Sequence, residues 1–131
     1  MVFIDANVPM YLVGAAHPNK VDAQRRLDAL VTHRVRLVTD AEVLTEILHR
    51  YTSIERRGGI QPAIDALLGI VDEVFPIDRE NVERAKQLVL QYPTLSVRAA
   101  LHVATMQRHD IENVLSFDPA FDRIPGLTRL R

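Results

Sequence analysis

Four acidic residues stand where they could do chemistry: Asp5 in "VFIDANV", Glu46 in "TDAEVLTEILHR", and Asp118 with Asp122 in "SFDPAFDR". Asp5 directly follows the apolar run Val2–Ile4, which reads as a short buried strand. A carboxylate ending such a strand costs desolvation energy unless a positive group faces it. No lysine or arginine precedes Lys20, so the compensation must come from elsewhere. Asp118 follows "NVLSF", a second strand-like run. Two carboxylates at the ends of neighbouring strands would repel unless they shared a proton or a cation. Carboxylates clustered without histidine or cysteine suit a hard, oxygen-seeking ion such as Mg²⁺ or Mn²⁺. Water bound to such an ion can attack a phosphate.

Each acid also has a plainer role. Thr39 and Glu42 match a capping-box spacing. Glu46 and Arg50, four apart, form an ordinary helix pair worth about 0.3–0.5 kcal/mol. Asp118 before Pro119 reads as the cap of a short helix, with Asp122 pairing Arg123 or nothing. Arg50, Arg56, Arg57 and Arg98 are basic residues near the proposed site and are candidates for gripping phosphates, with "ERRGG" as a mobile basic loop. A solvated loop is the plainer reading of that charge run. His102 reads as a packed helix residue, because hard-ion sites prefer oxygen.

The elements that must position these groups alternate. Strands are predicted at residues 2–5, 36–39, 73–77, 113–117 and 127–130. Helices are predicted at 8–14, 19–33, 40–51, 60–71, 79–91 and 97–109, with prolines and glycines marking the breaks. Such alternation implies an α/β fold with a mostly parallel sheet, and ligands then gather beyond the carboxyl ends of its strands. The 131 residues show no repeat or linker and read as one domain, 1–131. The absence of cysteine excludes thiol catalysis, disulfides and zinc–thiolate sites. No signal-like or membrane-length apolar segment is visible, so a cytoplasmic protein without membrane association is expected. The net charge of −1 leaves room for nucleic-acid binding only through a local basic patch. No Gly-x-Gly-x-x-Gly follows the first strand, which argues against a dinucleotide cofactor.

"FIDANV", Glu46, and "LSVRAALHVATMQRH…VLSFDPAFDRIPGL" together resemble the PIN domain, and more closely the VapC-type toxins of toxin–antitoxin pairs. The resemblance spans essentially the whole chain. It implies a Rossmann-like α/β/α sandwich and a Mg²⁺- or Mn²⁺-dependent endoribonuclease. Asp5, Glu46, Asp118 and Asp122 would be the metal-site acids, and Asn7 an auxiliary polar group. It further implies a structured RNA substrate (tRNA or rRNA), a homodimer, and a VapB-like antitoxin covering the acidic pocket. Haloacid-dehalogenase-like phosphatases also start from a strand-end aspartate and carry Asp-x-x-x-Asp late in the chain. Their Asp-x-Asp-x-Thr/Val signature fails at Asn7 and Pro9, and they leave Glu46 idle.

One position departs from the PIN pattern. Where the family has an aspartate early in the last long helix, Ala99 stands in "RAALHVA". An acid would suit that place physically, since Ser96 reads as the N-cap and an anion in the first turn complements the helix dipole. Alanine keeps the helix and deletes only the carboxylate. A degenerate natural member and an engineered Asp→Ala are the two explanations, and the otherwise well-kept motif favours the second. Either way, weakened divalent-ion binding and little cleavage are expected of this chain. The remaining alternative is a catalytically dead PIN domain that binds RNA or antitoxin.

Overall fold

A computed structural model describes all residues from Met1 to Arg131. Five short strands, β1 (Val2–Ile4), β2 (Leu37–Asp40), β3 (Glu73–Phe75), β4 (Asn113–Leu115) and β5 (Thr128–Leu130), form one sheet. The order is β3-β2-β1-β4-β5, and every neighbouring pair is parallel. Six helices flank it: α1 (Asn7–Val13), α2 (Pro18–Thr32), α3 (Ala41–Ser53), α4 (Ile60–Ile70), α5 (Arg79–Gln91) and α6 (Val97–Arg108). This is the α/β architecture expected from the alternation, with four strands one or two residues shorter than predicted and β2 shifted by one residue so that it ends at Asp40.

β1 is central because its three residues are all buried, as a strand covered on both faces requires. Val2 and Phe3 lie opposite Leu37 and Val38 on one side, and Val2, Phe3 and Ile4 opposite Asn113, Val114 and Leu115 on the other. Phe3, Ile4, Val38, Val114 and Leu115 are fully buried at the middle of the core. Truncating Phe3 to alanine would cost about 3–5 kcal/mol.

That register decides where the chemistry falls. Asp5 follows β1, Asp40 ends β2 and Ser116 follows β4, so three polar side chains meet at the carboxyl edge of adjacent strands. The chain runs from β1 to one side to make β2 and β3, then returns to the other side for β4 and β5. Between β1 and β4 lies the point where the winding reverses and a crevice opens.

Two local expectations change. Asp40, not Thr39, caps α3, accepting from the Val43 amide at 3.0 Å. Thr39 instead lies in β2 and donates to the Ile4 carbonyl at 2.8 Å, which ties β2 to β1. The stretch predicted as a mobile basic loop contains a turn of 3₁₀ helix, Arg57–Gly59. Gly59 sits against the ring of Tyr51, and a Cβ there would lie 2.5 Å from Tyr51 Cε1, so any larger residue would force that ring to move.

Candidate metal centre and its cleft

A cleft of about 710 Å³ opens at the carboxyl edge of β1, walled by α1, α3 and the start of α6. Asp5, Asn7, Glu46, Arg50, Arg98 and Asp118 all line it. Of the positions singled out in the sequence, these six are brought to one place.

Asp5 is 5% exposed and is held from several sides. Its Oδ1 accepts from the Ala6 amide at 2.8 Å. Its Oδ2 accepts from the Ser116 hydroxyl at 2.6 Å and from Asn7 Nδ2 at 3.3 Å. Asn7 also donates to Ser116 Oγ and accepts from the Phe117 amide, both at 3.3 Å, so it bridges the ends of β1 and β4. Burial pushes the Asp5 carboxyl above its usual range, opposed by the charge of His102 and by these hydrogen bonds. The opposing charge absent from the first nineteen residues is therefore supplied by His102, from α6.

His102 was expected to be packing, and it is packed: it is 1% exposed and lies 5.3 Å from the Phe3 ring. It is also the hub of the acids. Its Nδ1 donates to both Asp40 oxygens, at 3.0 and 3.1 Å. Its Nε2 faces Glu46 Oε2 at 3.6 Å and Asp5 Oδ1 at 3.8 Å, too far for hydrogen bonds. Nε2 and Glu46 Oε2 are buried polar atoms without a hydrogen-bond partner. Burial alone would lower the imidazole pKa. The hydrogen-bonded Asp40 and the negative charges of Glu46 and Asp5 outweigh it and push the pKa up to about 10. The sequence did carry a signal for this role: position 102 follows position 99 by three residues, and residues so spaced share a helix face.

Glu46 does not pair with Arg50 as the plain helix reading had it; its carboxylate turns toward His102. Glu42 does not cap α3 but pairs with Arg98 at 3.5 Å, so Arg98 is partly neutralised. Burial also raises the Glu42 carboxyl, against the pull of His102 and Arg98. Arg50 faces the cleft, whereas Arg56 and Arg57 are exposed on the 3₁₀ turn and do not line it. Tyr11 does line it, with its ring 5.0 Å from His17 and 5.1 Å from Phe117, so the wall is more aromatic than the sequence suggested.

The two late aspartates part company. Asp118 lines the cleft and caps the turn Pro119–Arg123, accepting from the Ala120 amide at 2.9 Å. Its own amide donates to Ser116 Oγ at 3.0 Å. Asp122 is not brought to the cleft. It is gripped by Arg129 through two hydrogen bonds of 2.9 and 3.0 Å, and that contact lowers its carboxyl pKa. A guanidinium on both oxygens already balances the charge of that carboxylate and holds it away from the cleft. The partner is thus Arg129 rather than Arg123, and the Asp-x-x-x-Asp spacing of the phosphatase reading does not make a shared site.

Position 99 is buried, in the first turn of α6, and its amide donates to the capping Ser96 at 3.1 Å. Asp5, Glu46 and His102 each offer one ligand atom, all within 4.8 Å of one another. Two orphaned buried polar atoms, Glu46 Oε2 and His102 Nε2, beside the buried Asp5 carboxylate are a set that fits a divalent cation.

Residues 2–127 match the PIN domain family. Ribonuclease VapC13 of Mycobacterium tuberculosis is 58% identical over 130 residues, covering 99% of each chain. Among solved structures, M. tuberculosis VapC20, a sarcin–ricin loop cleaving toxin, superposes with a TM-score of 0.70 at 22% identity over 91% of each chain. VapBC2 of Rickettsia felis, bound to a DNA fragment from its promoter, gives 0.74 at 13% identity over 99% of this chain and 98% of that one. At those identities the structural likeness speaks for the fold.

Proposed function

The chain belongs to the PIN-domain family and is akin to its VapC ribonuclease toxins, and from that premise we propose a metal-dependent endoribonuclease that cuts the phosphodiesters of a structured RNA, a tRNA or an rRNA. The observation that carries this reading is the pair of orphaned buried atoms, Glu46 Oε2 and His102 Nε2, beside Asp5 at the floor of the cleft. Asp5, Glu46 and Asp118 are the acids that hold Mg²⁺ or Mn²⁺. When bound, such an ion supplies positive charge that polarises water and stabilises the phosphate's developing charge.

The chain's own groups do the rest. Ser116 and Asn7 fix the Asp5 carboxylate so that it need not reorganise during the reaction. Glu46, whose side chain lines the cleft and is partly exposed, accepts the proton of the attacking water. Arg50 faces the cleft and contacts the scissile strand's phosphates, as a guanidinium does well. Tyr11, held by a tilted contact with His17 and an edge-on contact with Phe117, offers a ring against which an unpaired base can rest. A VapB-like antitoxin inserts a positively charged segment into the same acidic cleft, and the toxin works as a homodimer.

Ala99 sets the activity of this particular chain. With no carboxylate in the first turn of α6, the divalent ion is held by fewer anions and cleavage is slight. The test is RNA cleavage in Mg²⁺ by the chain as it stands and by Ala99→Asp. A gain of about 10²-fold or more in the variant is expected; no gain would overturn the account. Ala99 is also the observation that favours a second reading, a binding module that docks RNA or antitoxin without cutting. A pure binder stays silent in both assays.

A further inference from the structure

We propose that His102 is itself a metal ligand, and that Asp5, Glu46 and His102 form a mixed nitrogen–oxygen site selecting Mn²⁺ and related transition ions over Mg²⁺. The proposal rests on the ribonuclease reading's claim that the cleft holds a divalent ion, and it adds which atom binds and which ion is preferred. The sequence argued for an all-oxygen site; the structure places a nitrogen at its centre.

Three observations converge. Nε2 is buried, has no hydrogen-bond partner and is aimed at two carboxylates. Asp40 accepts from Nδ1 with both oxygens, which fixes the ring and aims Nε2 at the acids, where a divalent ion would take the place of the Nε2 proton. A carboxylate behind a ligating histidine is the usual device for orienting the ring and raising its basicity. Third, Nε2 stands 3.6 and 3.8 Å from its neighbours. Bonds of about 2.0–2.2 Å would bring such atoms to separations of about 3.0–3.5 Å, so the donors need close by only a few tenths of an ångström. Imidazole suits the later transition ions, whereas Mg²⁺ binds oxygen almost alone. Asp40 acts here as a positioning residue through His102, and its second duty, capping α3, survives in Asp40→Asn because asparagine caps equally well.

The test reads the metal without RNA. Pulsed EPR of the unaltered chain in Mn²⁺ should show imidazole nitrogen coupled to the ion. The coupling should persist in His17→Asn and His49→Asn, the other two histidines lining the cleft, and vanish in His102→Asn, whose amide still offers Asp40 a donor. Titration should show Mn²⁺ binding at least about tenfold tighter than Mg²⁺, with His102→Asn closing most of that gap and Asp40→Asn weakening Mn²⁺ by about 10–100-fold. A bound Mn²⁺ without nitrogen coupling overturns the proposal and leaves the ribonuclease reading intact. Nitrogen coupling in a chain whose Ala99→Asp form cuts no RNA does the reverse. No Mn²⁺ binding by the unaltered chain overturns it as well.

Discussion

Raising the pH should destabilise the metal-free protein in a way that traces to one ring. In the folded state His102 holds its proton up to about pH 10, against an ordinary value of 6.5. The folded chain therefore binds more protons than the unfolded chain between those values, so the contribution to stability is complete below 6.5 and is lost as pH rises through about 10. The structural cause is plain: removing that proton leaves the carboxylates of Asp5, Asp40 and Glu46 around a neutral ring. Within this window the slope approaches about 1.4 kcal/mol per pH unit, so a rise from about pH 7 to about pH 9 costs at most about 2–3 kcal/mol. The figure is an upper one because the proton belongs to the whole cluster. For a chain of this size it corresponds to a fall in Tm of roughly 6–15 °C. Urea denaturation across that range, with a constant m value, measures it directly. His102→Gln should be less stable at neutral pH but flatter above it. Equal slopes in the two proteins would refute the reasoning, since the titrating group would then lie elsewhere.

Other consequences follow from the polar contacts around the cleft. Ser116→Ala deletes the 2.6 Å bond to Asp5 and the acceptor for the Asp118 amide. It should cost about 1–3 kcal/mol in denaturation. It should also push the Asp5 carboxyl further up, so that Mn²⁺ binding, followed by titration, fails at a less acidic pH than in the parent. Asp118→Asn should weaken Mn²⁺ binding, whereas Asp122→Asn should leave it unchanged and show only in stability, because Asp122 is committed to Arg129. Calorimetric titration of the two variants separates them, and equal loss of binding would contradict the placement of Asp122.

The alternation of apolar runs with amphipathic stretches, the strand-ending Asp5, the Ser96 cap and the tight turn at Pro119 were all legible in the sequence. These are local facts: period, propensity and capping act over a few residues, and the residues themselves carry the signal. Helix ends were blurred where no glycine marks them. Arg34, Glu55 and Asp110 take left-handed φ values of 55°, 56° and 55° without it. What the tertiary structure alone decided was which polar atoms meet. His102 finds Asp40 across 62 positions, and Ser116 finds Asp5 across 111. Asp122 faces Arg129, while Glu42 faces Arg98 rather than the cap. Strand order and register fix those encounters, and a buried polar group takes whichever partner the packed core brings within reach, because leaving it bare costs more than any local preference can offset.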